Sequence, residues 1–142
     1  MAIATSRYAI PDSGGELARR TAGGVLVAVV AALVVRLLVG SLGLAVGPTG
    51  PMTPFGTVPI VMSAVVAGIG AAVVYAALVR FTRRPVRNFL VASAVVFGLM
   101  LVPVVAAAPG MGVTAVGQGV LVVLHAVVAV PLVAFAVGAV RL

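Results

Sequence analysis

The sequence has no cysteine, no lysine and no tryptophan, and its acidic side chains, Asp12 and Glu16, both precede the first long apolar run. The absence of cysteine excludes disulfides, thiol redox chemistry and thiolate metal sites. Only 8% of the residues are charged, whereas soluble proteins average about 25%. A water-soluble domain of this size needs a larger polar surface, so the outside of the protein is expected to face lipid.

All nine basic residues are arginine, and the formal net charge is +7. Nucleic-acid-binding proteins carry such charge as a patch on a water-exposed face, often beside aromatic residues. Here the arginines stand mostly at the ends of apolar runs, where membrane proteins place them. Nucleic acid is therefore not an expected partner, and the lipid bilayer is.

Four long apolar runs follow one another, at about 21–46, 58–79, 89–108 and 113–140. Each is long enough to cross the roughly 30 Å hydrocarbon core as a helix that rises about 1.5 Å per residue. The sequence thus predicts an all-α membrane protein, in which a polar segment at 1–20 precedes a single bundle of four transmembrane helices at 21–142.

The polar segment begins no apolar core, so it is not expected to be a cleavable signal peptide. Within it, Ser13 followed by Glu16 has the spacing of a helix-capping box, which predicts a helix beginning near Gly14. This helix either lies at the membrane surface or runs directly into the first span. The alternative, equally compatible with the sequence, is a partly ordered tail.

The arginines are distributed unevenly between the two sides of the predicted bundle. Eight of the nine fall on the side of the amino terminus, the second loop and the carboxyl terminus, while the first and third loops carry no charge. The positive-inside rule places that side in the cytoplasm. Besides Arg7, the residues that anchor this topology are Arg19, Arg20, Arg80, Arg83, Arg84, Arg87 and Arg141. Abundant Ala, Val, Gly and Arg without Lys are typical of a GC-rich genome, so the expected location is the cell membrane of a prokaryote.

Small residues recur at every fourth position in the first two spans. Because lipid removes the hydrophobic drive for helix association, close packing through such residues must hold the helices together. The rows predicted to do so are Gly24, Ala28 and Ala32 in the first span and Ala64, Gly68 and Ala72 in the second. We expect the second span to be a central packing element.

Three polar side chains inside the predicted spans, Arg36, Gln118 and His125, form the candidate binding site, because an ionisable residue at such depth is costly and marks function by default. Arg36 follows Arg20 by sixteen residues, and His125 precedes Arg141 by sixteen. In an antiparallel helix pair both would lie about 24 Å above these arginines. Gln118 shares the face of His125, two turns away. A buried arginine with no carboxylate nearby points to an anion as the ligand.

The same residues also have purely structural explanations. Arg36 can extend along its own stem to the outer headgroups, and His125 can be a neutral ring bonded to a carbonyl or to Gln118. A haem would need His125 of a second copy as its other axial ligand. With no carboxylate or thiol inside any span, we expect no catalytic residue, no metal site and no cofactor, and the protein is not expected to be an enzyme.

Arg36 late in the first span, the loop Arg80-Phe81-Thr82-Arg83-Arg84-Pro85 and the pair Leu124-His125 resemble an uncharacterised family of four-helix integral membrane proteins of haloarchaea and high-GC actinobacteria. The resemblance implies this fold and no particular activity, because the family has none assigned. Four-helix fluoride channels are of similar size, but their glycine-asparagine pore motif and phenylalanine pair are not evident, and their dual topology conflicts with the one-sided arginine bias.

Two functions remain open at this point. The first is a small non-enzymatic membrane protein that associates with copies of itself as a homo-oligomer or serves as an accessory subunit of a larger membrane complex. The second is a channel or transporter for an anion or small solute, lined by Arg36, Gln118 and His125. A water-filled cavity that reaches Arg36 would favour the second function, and a lipid-facing Arg36 the first.

Overall fold

The computed structural model describes residues 8–142, so Arg7 and the start of the polar segment lie outside it. Over this range the chain forms four α-helices and no strand: α1 (Gly14–Ser41), α2 (Thr57–Phe81), α3 (Pro85–Ala106) and α4 (Ala115–Ala136), with a 3₁₀ turn at Ala108–Met111 before α4. Each α-helix is long and apolar enough to cross a membrane. The predicted all-α, four-helix membrane architecture is confirmed.

Helix α1 begins at the capping box and continues without a break into the first apolar run. The Ser13 hydroxyl accepts a hydrogen bond from the Glu16 N–H at 3.1 Å, and the Glu16 carboxylate accepts one from the Asp12 N–H at 2.8 Å. The helix ends at Ser41 rather than near 46. Gly43, with φ of 62°, takes the left-handed conformation that favours glycine beyond a helix end.

The most extensive helix pair is α1 with α4, and the two run antiparallel. A Cβ added to Gly24 would lie 3.1 Å from Cβ of Phe135 and 3.3 Å from the carbonyl oxygen of Pro131, so the backbones approach closely there. Ala28 and Ala32 on the same row are completely buried. The small-residue row of α1 therefore meets α4 directly.

Helix α2 packs its own small-residue row into the seam between α1 and α4. Ala64 is completely buried, Gly68 is buried, and Ala72 is half-buried. A Cβ added to Gly68 would collide with the side chain of Val25 on α1 and would contact Leu132 on α4 at 3.4 Å. This glycine lets three helices meet at one level.

The bundle has two chemically different ends. The end where α1 and α3 begin and α2 and α4 finish carries Arg19, Arg20, Arg141 and the arginine-rich turn between α2 and α3; it is called the basic end. The opposite end, formed by residues 42–56 and 107–114, carries no charge and is called the neutral end. Each end has its own apolar cluster of buried residues, Leu17, Tyr75, Phe89, Ala136 and Val137 at the basic end and Ala32, Ile60, Val104, Ala108, Val113, Leu121 and Leu124 towards the neutral end.

At the neutral end, the loop after α1 folds onto the start of α4. The Thr114 hydroxyl caps α4 by accepting a hydrogen bond from the Gly117 N–H at 3.0 Å, while the Thr114 N–H donates to the Val46 carbonyl at 3.1 Å. A Cβ on Gly117 would overlap the Val46 carbonyl, so only glycine fits at that position.

Candidate functional site

An apolar groove with a volume of about 700 Å³ lies between α2, α3 and α4. Helix α4 forms its floor, and one face of α2 and one face of α3 form its walls. Val74, Val96 and Met100 line the groove and yet are 45–51% exposed, so the groove is open along one side. We refer to it as the α2–α3 groove.

The α2–α3 groove runs along most of the membrane thickness. On α2 its lining extends from Pro59 to Val74, a distance of about 22 Å at 1.5 Å per residue. On α3 it extends from Phe89 to Met100. Since the hydrocarbon core is roughly 30 Å thick, this shape suits a long, narrow apolar molecule better than a compact polar one.

The polar side chains in the groove are Ser63 on α2, Ser93 on α3 and His125 on α4. Counted from the helix termini at the basic end, they lie at heights of about 27, 12 and 16 Å respectively. By this count Ser93 and His125 differ in height by only about 4 Å, whereas Ser63 lies about 11 Å farther along than His125. The three side chains therefore do not form one concentrated polar site. The sequence pattern that indicates Ser93 is its spacing, since it lies four residues after Phe89 and four before Phe97 on one helix face.

His125 is half-buried on the floor of the groove, and its ring is held by its own helix. Nδ1 lies 2.6 Å from the carbonyl oxygen of Leu121, one turn earlier. A neutral ring that donates from Nδ1 to this carbonyl leaves Nε2 as an acceptor. Among residues 8–142 no other hydrogen bond holds the ring.

Arg36 lies in the last part of α1, near the neutral end, and its side chain is exposed. Its Nε donates a hydrogen bond to the carbonyl oxygen of Phe55 at 3.0 Å, so the guanidinium binds the loop between α1 and α2 to the helix. Arg36 does not line the α2–α3 groove. This bond directs the side chain towards the neutral end, which is the direction expected of a snorkelling arginine.

Gln118 binds the end of α3. Its amide nitrogen donates to the carbonyl oxygen of Val104 at 2.9 Å and to that of Val105 at 3.4 Å. The carbonyls of a last helical turn lack partners within the helix, and Pro109, four residues after Val105, has no N–H to offer. Gln118 thus supplies hydrogen bonds to a helix end that would otherwise lack them.

Arg36, Gln118 and His125 each bind a different carbonyl, and within residues 8–142 none of the three forms a hydrogen bond with another of them. Nor are Arg36 and His125 at one depth. Arg20 is level with Ala136 and not with Arg141, so the distances counted from these two arginines start at different heights.

The antiparallel register of α1 and α4 is given by two contacts that agree. Arg20 lies opposite Ala136, and Gly24 lies opposite Leu132. In this register Arg36 lies opposite Val120, and His125 lies about 7.5 Å closer to the basic end.

Arg20 was expected only as a topology anchor, but the structure buries it to 9% exposure. Its Nη1 donates to the carbonyl oxygens of Ala9 at 2.8 Å and Ala136 at 3.5 Å, and its Nη2 forms an ion pair with Glu16. The guanidinium therefore connects the segment before α1, α1 itself and the end of α4.

The remaining predicted anchors, Arg19, Arg80, Arg83, Arg84, Arg87 and Arg141, are exposed and lie at the basic end. Arg19, Arg20 and Arg141 line a second, smaller cavity of about 250 Å³ together with Glu16. In the range 8–142, no group of three or more His, Cys, Asp or Glu side chains is placed to hold a metal ion.

The comparison with protein families gives one match, a family of unknown function, DUF6069, over residues 12–141. No curated protein and no solved structure matches the chain. The matched range contains all four helices, the α2–α3 groove and the arginine-rich turn. The resemblance to an uncharacterised family is confirmed to that extent, while the organisms in which the family occurs stay a prediction. This chain of four membrane-crossing helices belongs to the DUF6069 family.

Proposed function

We propose that the protein is a non-enzymatic, multi-pass protein of the prokaryotic cell membrane that holds an elongated apolar molecule of the bilayer in the α2–α3 groove. The observation that carries this proposal is the groove itself. Its volume of about 700 Å³ lies within the range of roughly 300–1,000 Å³ that is usual for small-molecule sites. Its open side lets a molecule enter from the surrounding lipid.

The chemistry of the groove supports binding without catalysis. Its polar side chains are Ser63, Ser93 and His125, and its lining includes no carboxylate or thiol, so the groove offers no pair of carboxyl groups for acid–base chemistry. The acidic residues of the chain, Asp12 and Glu16, are at the start of α1, far along the helix from the level of His125. A binding role needs none of these groups to react.

The arginine distribution supports an orientation with the basic end in the cytoplasm. Arg19, Arg20, Arg80, Arg83, Arg84, Arg87 and Arg141 lie at this end, whereas the neutral end has no charged residue in either of its loops. By the positive-inside rule both termini are then cytoplasmic. This orientation is part of the proposal.

Self-association, or association with a larger membrane complex, is a second candidate function, and one observation favours it. Ser63, Ala67 and Ala71 follow one another at four-residue spacing along the α2 wall of the groove, beside Gly70. Small residues at this spacing let the backbone of another helix approach closely. A helix of a second copy would then occupy the same groove as the proposed apolar molecule.

A pathway for an anion or small solute has less support. Arg36 and Gln118 bind loop and helix-end carbonyls and do not line the groove. His125 is the one member of the predicted trio that does.

The experiment places a large side chain in the groove at Gly70, where the backbone leaves room for it. A Cβ added to Gly70 would contact nothing within 4 Å, and Gly70 lines the groove. Gly98 on α3 is equally free of contacts and does not line the groove. Gly70→Phe and Gly98→Phe are thus matched substitutions that differ in where the ring is placed.

We expect protein extracted with its lipids to retain bound lipid in native mass spectra, and Gly70→Phe to reduce the bound fraction several-fold. Gly98→Phe should retain lipid as the wild type does. Equal retention in all three proteins would contradict the proposal. If Gly70→Phe instead converted an oligomer into a monomer with no change in lipid content, self-association would replace lipid binding as the function.

A further inference from the structure

The arginine-rich turn lies directly beyond the basic end of the α2–α3 groove. Phe89, which lines the groove, follows Arg87 by two residues, and Val74, on the opposite wall, precedes Arg80 by six. At 1.5 Å per residue these separations along the helices are about 3 and 9 Å. Arg84, the N-cap residue of α3, precedes Phe89 by five residues, which is about 7.5 Å along the helix. A molecule that fills the groove therefore ends beside the turn that carries Arg83 and Arg84.

Two guanidinium groups of this turn, those of Arg83 and Arg84, are not engaged by the protein. Arg83 and Arg84 are exposed, and within residues 8–142 neither guanidinium forms an ion pair or a hydrogen bond. The ion pair of the described chain is Arg20 with Glu16, on α1. Unpaired guanidinium groups on two consecutive residues are suited to bind a phosphate, since each offers several N–H donors in a planar fork.

The turn also has the features of a segment at the membrane–water boundary. Phe81, at the last position of α2, is 79% exposed, and the Arg80 guanidinium lies 5.8 Å from the centroid of its ring. Exposed aromatic rings beside arginines are typical of the headgroup level of a bilayer. The first turn of α3 adds a positive helix terminus, and its N-cap residue, Arg84, gives it no side-chain cap.

We propose that the α2–α3 groove and the arginine pair Arg83–Arg84 together bind an anionic phospholipid, with an acyl chain in the groove and the headgroup phosphate at the turn. The proposal rests on the proposed function and names the class of its ligand. It depends on the juxtaposition of two unpaired guanidinium groups with the end of a long apolar groove. The acyl chain of a neutral or zwitterionic lipid can also fill the groove, but such a lipid does not offer the same net negative charge to the arginines.

The test compares phosphatidylglycerol with phosphatidylcholine of the same acyl chains, titrated in detergent and followed by native mass spectrometry. We expect the wild type to bind phosphatidylglycerol about tenfold or more tightly than phosphatidylcholine. The reason is that each basic residue near an anionic lipid headgroup strengthens the binding of that lipid. The double variant Arg83→Gln/Arg84→Gln should lose this preference and bind both lipids at the level of phosphatidylcholine.

The matched control is Arg19→Gln/Arg141→Gln, which removes the same charge from the same end of the bundle on the α1 and α4 side. This control should keep the preference for phosphatidylglycerol. Glycerol phosphate without acyl chains, at equal ionic strength, should not displace the lipid, because it cannot fill the groove. Gly70→Phe should weaken the binding of both phosphatidylglycerol and phosphatidylcholine.

Each other outcome contradicts a specific part of the proposal. If the wild type shows no preference, or if both double variants lose it equally, the arginine pair is not a headgroup site. The proposal that the groove binds a lipid still holds in that case, provided that Gly70→Phe weakens the binding of both lipids. If Gly70→Phe leaves both lipids unaffected, the proposed function fails and the inference fails with it. Displacement by glycerol phosphate would show a free anion site and would also overturn the phospholipid proposal.

Discussion

At the scale of single residues, two neighbouring arginines have entirely different surroundings. Arg19 is exposed at the basic end, whereas Arg20 is 9% exposed and binds Glu16 and the carbonyls of Ala9 and Ala136. Gly138, with φ of 75°, brings the chain after α4 so close that an added Cβ would lie 2.9 Å from Arg20 Nη1. One of the two is free to face water or headgroups, while the other is a structural cross-link.

This difference predicts different costs of removal. Arg20→Leu leaves two carbonyls and a carboxylate without their charged donor, and hydrogen bonds to charged groups contribute about 1.5–3 kcal/mol each at most. We expect a loss of about 2 kcal/mol in the free energy of unfolding, measured in detergent by circular dichroism. Arg19→Leu should change it by about 0.5 kcal/mol or less, as for other surface substitutions. Equal effects would show that the Arg20 contacts do not stabilise the bundle.

The polar residues show what the sequence could and could not predict at this scale. Their presence inside the spans is evident, and so are the alternatives that Arg36 reaches outwards and that His125 bonds to a carbonyl. Their grouping depends on the register between α1 and α4, which the spacing to Arg20 and Arg141 does not determine. Arg20 is level with Ala136, where α4 ends, and Gly138 then turns the chain, so Arg141 does not continue the helix. The partner of Gln118, at the end of α3, depends equally on how two helices meet.

At the scale of elements, the helices were predictable because length and apolar composition alone determine them. All four predicted runs contain an α-helix, and the Ser13–Glu16 capping box is at the start of α1. The ends of the helices were less predictable. Helix α1 finishes at Ser41 because Gly43 takes a left-handed conformation, although the apolar residues continue to Val46. Those residues instead form the loop that packs on Thr114 and Gly117.

The small-residue row of α2 supports a prediction about helix packing. Gly68 faces Val25 and Leu132 with no room for a Cβ, whereas Gly98 has nothing within 4 Å of the same position. Gly68→Leu should destabilise the bundle by about 1–3 kcal/mol, because added volume in a packed site forces the backbones apart. Gly98→Leu should be neutral or slightly stabilising, since leucine favours helix over glycine. Unfolding in detergent measures both, and equal tolerance would contradict the close packing of α2.

At the scale of the whole molecule, the α2–α3 groove could not be read from the sequence. Its lining residues are ordinary apolar positions of three helices, and the groove exists because α2 and α3 meet closely only in part. Near the basic end the rings of Tyr75 and Phe89 are in contact, with centroids 4.9 Å apart. Farther along, Val66 and Met100 line the groove and are 63% and 49% exposed. Such a separation depends on how all four helices are arranged.

The orientation of the molecule in the membrane determines where the arginine pair of the proposed lipid site lies, and it can be measured directly. The chain has no cysteine, so a single introduced cysteine reports its own position. Met52→Cys and Met111→Cys lie at the neutral end, where these side chains are 77% and 58% exposed. If the basic end is cytoplasmic, both should react with an impermeant thiol reagent added to intact cells. Thr82→Cys, in the arginine-rich turn, should react only after the membrane is permeabilised. The opposite pattern would place Arg83 and Arg84 at the outer leaflet, and a mixture of both patterns would show that the arginine bias does not determine a single orientation.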